Sequence, residues 1–148
     1  MSLITDKVFY NALRSNAELV AQVGNRIEST SIPVPDEDFL NEPLPYIIIT
    51  YDGMQNEGFT KDNSYEGDTD KVQVSIEVDA ESRDELGDIM QKVRQTVIDY
   101  FEDEVGHVWD DYEYVPDSYE LTASPVAYDP TKPCYYQTLT YNCNTKTK

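Results

Sequence analysis

The stretch Asp70–Phe101 reads DKVQVSIEVDAESRDELGDIMQKVRQTVIDYF, and its two halves carry different periods. Val72, Val74, Ile76 and Val78 alternate with Gln73, Ser75, Glu77 and Asp79. A period of two describes a strand with one buried face and one wet face. Ser82-Arg83-Asp84-Glu85 then has the form of a capping box, with the Ser82 hydroxyl over the first amides and Glu85 reaching back. Leu86, Ile89, Met90, Val93, Val97 and Phe101 follow at helical spacing, separated by Gln91, Lys92, Gln95 and Asp99. A strand with one apolar face therefore feeds a helix with one apolar stripe. The simplest way to satisfy both is to lay the helix across a sheet.

Working outward, Thr5 or Asp6 caps a first helix whose apolar side is Val8, Phe9, Ala12 and Leu13. Asn16 caps a second turn through Leu19, Val20 and Val23, and Gly24 stops it, because glycine tolerates positive φ. Arg26-Ile27-Glu28 is a short extended piece. From Ser29 to Pro45 the prolines Pro33, Pro35, Pro43 and Pro45 predict a loop, anchored by Phe39 and Leu40. Tyr46 to Tyr51 is an unbroken apolar run, which predicts a central strand buried on both faces. Asp52 to Thr69 is polar and glycine-rich, and reads as a hairpin arm or a mobile loop between two antiparallel strands. Beyond the long helix the pattern loosens through Val108, Trp109, Tyr112 and Tyr114. Tyr119 to Tyr128 is extended, with Pro125 pushing it toward a sheet edge. Asp129 to Pro133 is a turn, Tyr135 to Cys143 is a last strand, and residues 143–148 read as a frayed end. The fold class is α+β: a mostly antiparallel sheet of about four to five strands, with the long helix and the N-terminal helices on one face. All 148 residues form one domain.

Net charge is −18, from 29 acidic and 11 basic residues. Such a balance repels nucleic acid and anionic membranes. It fits a solubilising surface, and it equally fits an acidic wall past which DNA slides without sticking. No apolar run approaches the length of a membrane span, and Met1 to Asp6 lacks the basic-then-apolar pattern of a secretory signal. Cys134 and Cys143 lie nine positions apart on one predicted strand, hence on opposite faces and roughly 30 Å apart. A disulfide between them is excluded by that distance.

No catalytic constellation emerges. His107 lies four residues after Asp103, but no positioned nucleophile accompanies it. Asp62-Asn63-Ser64-Tyr65-Glu66-Gly67 opens like a calcium loop, yet its twelfth position is Gln73, on a strand. Asp110-Asp111 is one carboxylate pair among many, and phosphate-binding glycine loops are absent. No cofactor and no metal site are expected. The twelve tyrosines are not interleaved with basic residues, which argues against a cationic base-stacking groove. They suit half-buried sheet packing, and a subset suits a protein interface.

The order of elements resembles the tail terminator, or tail-completion, family of long-tailed bacteriophages. The matching pieces are Leu19-Val20-Ala21-Gln22-Val23-Gly24-Asn25-Arg26-Ile27, then Pro43-Leu44-Pro45-Tyr46-Ile47-Ile48-Ile49, then Val72 to Val78 leading through Ser82-Arg83 into the helix ending near Tyr100, and finally Tyr135 to Tyr141. The resemblance spans most of the chain, with 105–133 the part that departs. It implies a non-enzymatic virion protein at the tail–head junction, assembled in a bacterial host. Its partners would be its own copies in a ring, usually of six, the tail tube protein and the head–tail connector. DNA would pass through the hole without specific binding, and no membrane would be involved. Ring contacts of this kind are heterologous, one patch meeting a different patch on the next copy. Apolar residues on polar segments, Phe39, Leu40, Met54, Phe59 and Tyr65, are the candidates for such contacts. A head-completion adaptor is an alternative in the same class. An acidic DNA mimic, or an enzyme using carboxylates or a loop-bound divalent ion, is an alternative from another.

Overall fold

A computed structural model describes residues 5–24, 26–29, 43–56, 69–102 and 114–147. Two short helices, α1 (Thr5–Ser15) and α2 (Ala17–Val23), precede strands β1 (Ile27–Ser29), β2 (Tyr46–Asn56) and β3 (Thr69–Ala80). The long helix α3 (Arg83–Glu102) follows, then β4 (Tyr114–Ala123), β5 (Ala127–Asp129) and β6 (Cys134–Thr147). The six strands form one sheet in the order β1-β2-β3-β6-β4, with β5 also paired to β6. Only β1 and β2 run parallel; the other pairings are antiparallel. The architecture is the expected α+β arrangement, widened at its margins by the three-residue strands β1 and β5.

The alternation read from β3 decides which face is dry. Val72, Val74, Ile76 and Val78 are all 1% exposed or less. Their register partners Ile47 and Ile49 on β2, and Leu139, Tyr141 and Cys143 on β6, are buried with them. Leu86, Ile89, Met90, Val93 and Val97 of α3 close over this face, joined by Phe9 and Leu13 of α1 and Leu19 and Val23 of α2. Tyr141 is central: its ring lies 5.3 Å from Phe9 and 5.3 Å from Tyr119, centroid to centroid. Burial pushes its phenol pKa upward.

Local chemistry fixes the helix ends. Asn16 Oδ1 accepts from the amides of Glu18 and Leu19, while its Nδ2 donates to Thr96 Oγ1 at 2.7 Å. One side chain thus caps α2 and ties it to α3. Gly24 ends α2 at φ 70°, its amide donating to Val20 O. Ser82 Oγ accepts from the Glu85 amide at 3.1 Å, as expected. The reciprocal half of the box is not made by Glu85 Oε1, which is buried with no hydrogen-bond partner.

Four boundaries differ from the sequence reading. Strand β2 runs on to Asn56 and β3 begins at Thr69, continuing the β2–β3 ladder into the polar 52–69 segment by cross-strand pairing that polar composition does not reveal. Residues 144–147 are not frayed: they belong to β6, held between β3 and β4. Tyr119 to Tyr128 splits into β4 and β5 around Pro125, whose missing amide breaks the ladder. The β2 run is not dry on both faces, since Ile48 is only half-buried beside Glu77. Residues 30–42, 57–68 and 103–113 lie outside the described residues, and with them His107, Asp103, Asp110, Asp111 and the Asp62–Gly67 segment.

Truncating Ile76 tests the two-faced reading of β3. Ile76→Ala should cost about 2–5 kcal/mol of unfolding free energy in a urea titration, whereas Gln73→Ala should stay within about 0.5 kcal/mol.

Candidate functional site

The sheet face turned away from the helices carries the site. Register places Glu28 of β1, Ile48 and Thr50 of β2, Lys71 to Asp79 at odd positions of β3, Tyr136 to Asn142 at even positions of β6, and Glu120 and Thr122 of β4 on it. No described helix covers it. Where β2 bulges between Tyr51 and Gly53, Asp52 is left without a cross-strand partner, and Gly53 absorbs the bend at φ 118°. The Asp52 carboxylate turns onto the open face and accepts from the Ser75 hydroxyl and from Gln73 Nε2.

Charge divides between the two faces. Among the described side chains, the open face holds Glu28, Asp52, Glu77, Asp79, Glu120 and Asp129 against Lys71 and, from the turn after β5, Lys132. The helices hold Lys7, Arg14, Arg83, Lys92 and Arg94 against Glu18, Asp84, Glu85, Asp88 and Asp99, which is an even balance. Among the described side chains the open sheet face is therefore net acidic, while the helix layer is balanced.

The open face is wet at one end and dry at the other. Gln73 is exposed and Ser75 and Glu77 are half-buried, but Asp79 is only 6% exposed. Alternation alone assigned Asp79 to solvent. Tyr46 and Cys134 lie against it, and Lys132 Nζ, from the turn at 130–133, lies 4.4 Å from the centre of the Tyr46 ring. Tyr46 donates to Asp79 Oδ2 at 2.7 Å, and the Cys134 thiol lies 3.6 Å from the same oxygen. Asp79 Oδ1 is buried with no hydrogen-bond partner. Burial and the neighbouring Asp79 push the Tyr46 phenol upward and the Cys134 thiol up to about 11. Burial and the neighbouring negative charges of Asp79 and Asp129 raise the Glu77 carboxyl to about 7. Among the described residues no group of three or more His, Cys, Asp and Glu side chains could hold a metal ion.

Cys143 faces the opposite way, in the core under the helices, where burial raises its thiol to about 12. The two cysteines therefore take opposite faces of β6, as their spacing predicts. Of the five candidate contact residues, Met54 is described; Phe39, Leu40, Phe59 and Tyr65 lie outside the described residues. Met54, on β2, pairs with Val72 of β3 and is 42% exposed. Tyr128 on β5, at the other margin of the sheet, is 53% exposed and lies against Tyr135. The sequence reading missed it, because one tyrosine among twelve carries no local sign of exposure. Most other described tyrosines serve the sheet: Tyr46 and Tyr141 are buried, and Tyr10, Tyr51, Tyr119 and Tyr135 pack against the core.

The sequence matches no family model and no curated protein. The fold, however, is similar to a chain in the solved virion of the native gene transfer agent (GTA) particle. The superposition has a TM-score of 0.59 at 13% identity, and covers 95% of this chain and 92% of that one. The likeness is one of fold along nearly the whole of both chains. No helix among the described residues is long and apolar enough to cross a membrane.

Two outcomes follow from the dry end. Tyr46→Phe removes the hydroxyl donor to a buried carboxylate and should lower stability by about 1–3 kcal/mol, read as a shift in urea midpoint. The raised Glu77 carboxyl favours the folded chain at low pH. That stability is complete below about pH 4.5 and is lost as pH rises through about 7. Glu77→Gln should flatten the slope of unfolding free energy against pH in this window, by an amount on the order of 1 kcal/mol for a half-solvated group.

Proposed function

We propose that this chain is a structural subunit of a phage-like virion, and within it a tail terminator: a ring-forming protein that caps the finished tail tube and meets the head connector. The observation that carries this reading is the fold shared with a virion chain along 95% of the sequence. The segments that carry the terminator resemblance lie in α2, β1, β2, β3, α3 and β6 of this chain. We read the chain as a scaffold for assembly and not as an enzyme.

The uneven charge supports an orientation. A ring that turned its open sheet faces inward would line its hole with Glu28, Asp52, Glu77 and Glu120 of each copy, and DNA would be repelled from the wall as it passed. The charge-balanced helix layer would then face outward. Met54 near one margin of the sheet and Tyr128 at the other fit a heterologous contact, in which unlike patches of successive copies meet. Phe39, Leu40, Phe59 and Tyr65 extend the list of contact candidates from the sequence.

The test is co-expression with a tail tube protein of a long-tailed phage, followed by negative-stain electron microscopy. Tubes of uniform length ending in a ring of fixed copy number, built from this chain, are the expected result. Rings found on isolated connectors and never on tubes would instead mark a head-completion adaptor. Uncapped tubes, with this chain left as free monomer, would overturn the virion reading.

A further inference from the structure

The dry end of the open face has a feature that assembly does not explain: a sealed carboxylate next to a second one on the same strand. Glu77 and Asp79 are two residues apart on β3 and project to the same side. Tyr46 faces them from β2, Cys134 and the register partner Tyr136 from β6, Asp129 from β5, and Lys132 from the turn above. Tyr46 and Cys134 both direct their protons to Asp79 Oδ2, so Oδ1 is left over. A buried carboxylate oxygen without a donor is costly, and two adjacent carboxylates in a poorly hydrated site do not both ionise cheaply. A proton on Glu77 answers both costs, since the carboxylic acid can donate to Asp79.

We propose that Glu77 and Asp79 form a proton-operated latch on the β5–β6 hairpin. With the proton in place, the 130–133 turn stays seated over Tyr46 and Asp79. When it leaves, two negative charges face Asp129 beneath the turn, with Lys132 as the nearby cation, and water must enter to solvate them. The least costly entry is the hairpin itself. β5 has three residues, and Asp129 is held to its turn by an Asx contact from the Thr131 amide at 2.9 Å. Lifting it leaves the β3–β6 ladder intact. It would also move exposed Tyr128, which rides on β5. The pH sensitivity of Glu77 runs in the direction the latch requires, toward release as pH rises through about 7.

Hydrogen exchange on the intact chain, resolved by peptide mass spectrometry, tests the latch at about pH 5.5 and about pH 8.5, with each rate divided by its intrinsic value. In the wild type, protection in the peptide spanning 127–136 should fall about tenfold at the higher pH relative to the β2–β3 ladder. Glu77→Gln, whose amide donates to Asp79 without titrating, should keep that protection at both pH values. Asp79→Asn serves the same comparison if the first variant does not fold. Thiol labelling gives a second readout: the ratio of Cys134 to Cys143 modification should rise with pH in the wild type and stay level in the variant. Equal wild-type protection at both pH values would overturn the latch. So would an unchanged pH dependence in the variant, or a loss spread evenly over the whole sheet.

Discussion

The β3–β6 ladder is the constraint on which the other elements depend. Its register runs without a break from Thr69–Lys146 to Ala80–Tyr135. It joins segments separated by the whole of α3, β4 and β5, so the chain must close a long loop before the ladder forms. Once formed, it fixes the parity of both strands together. Val72, Val74, Ile76 and Val78 share a side with Leu139, Tyr141 and Cys143, and that side must be covered. A slip of one residue would turn the aliphatic set to water and bring Gln73 and Glu77 beneath the helices. The helices contribute little by propensity alone at α2's seven residues; their stability comes from closing this face.

The same parity creates the open face, and the two ends of that face behave differently. At the bulge end Asp52 is solvated and paired with Ser75 and Gln73, where carboxylates cost little. At the turn end the ring of Tyr46, the thiol of Cys134 and the stem of Lys132 exclude water from Asp79. A carboxylate there needs every donor it can find. The chain supplies two of them to one oxygen and none to the other.

The protein is a two-sided plate. Among the described side chains, one side is a helix layer with its charges in balance, and the other is a polar sheet with more carboxylates than cations. Plates of this kind can close into a ring through their margins, and Met54 and Tyr128 mark apolar points near opposite margins. Self-repulsion between copies at −18 each opposes closure at low salt.

The sequence by itself determined the strand–helix unit at Asp70–Phe101, the caps at Asn16, Gly24 and Ser82, and the buried stripes, because each is a local pattern whose period or end residue has one physical meaning. It also placed Cys134 and Cys143 on opposite faces by parity. Only the tertiary structure decided that residues 144–147 are paired, that β1 lies parallel to β2, and that Asp79 is dry. Those outcomes depend on what a distant segment lays beside or over a residue. Asp79 has the same parity and polarity as Gln73, and it is Tyr46 and, some fifty residues further on, Cys134 that lie against it.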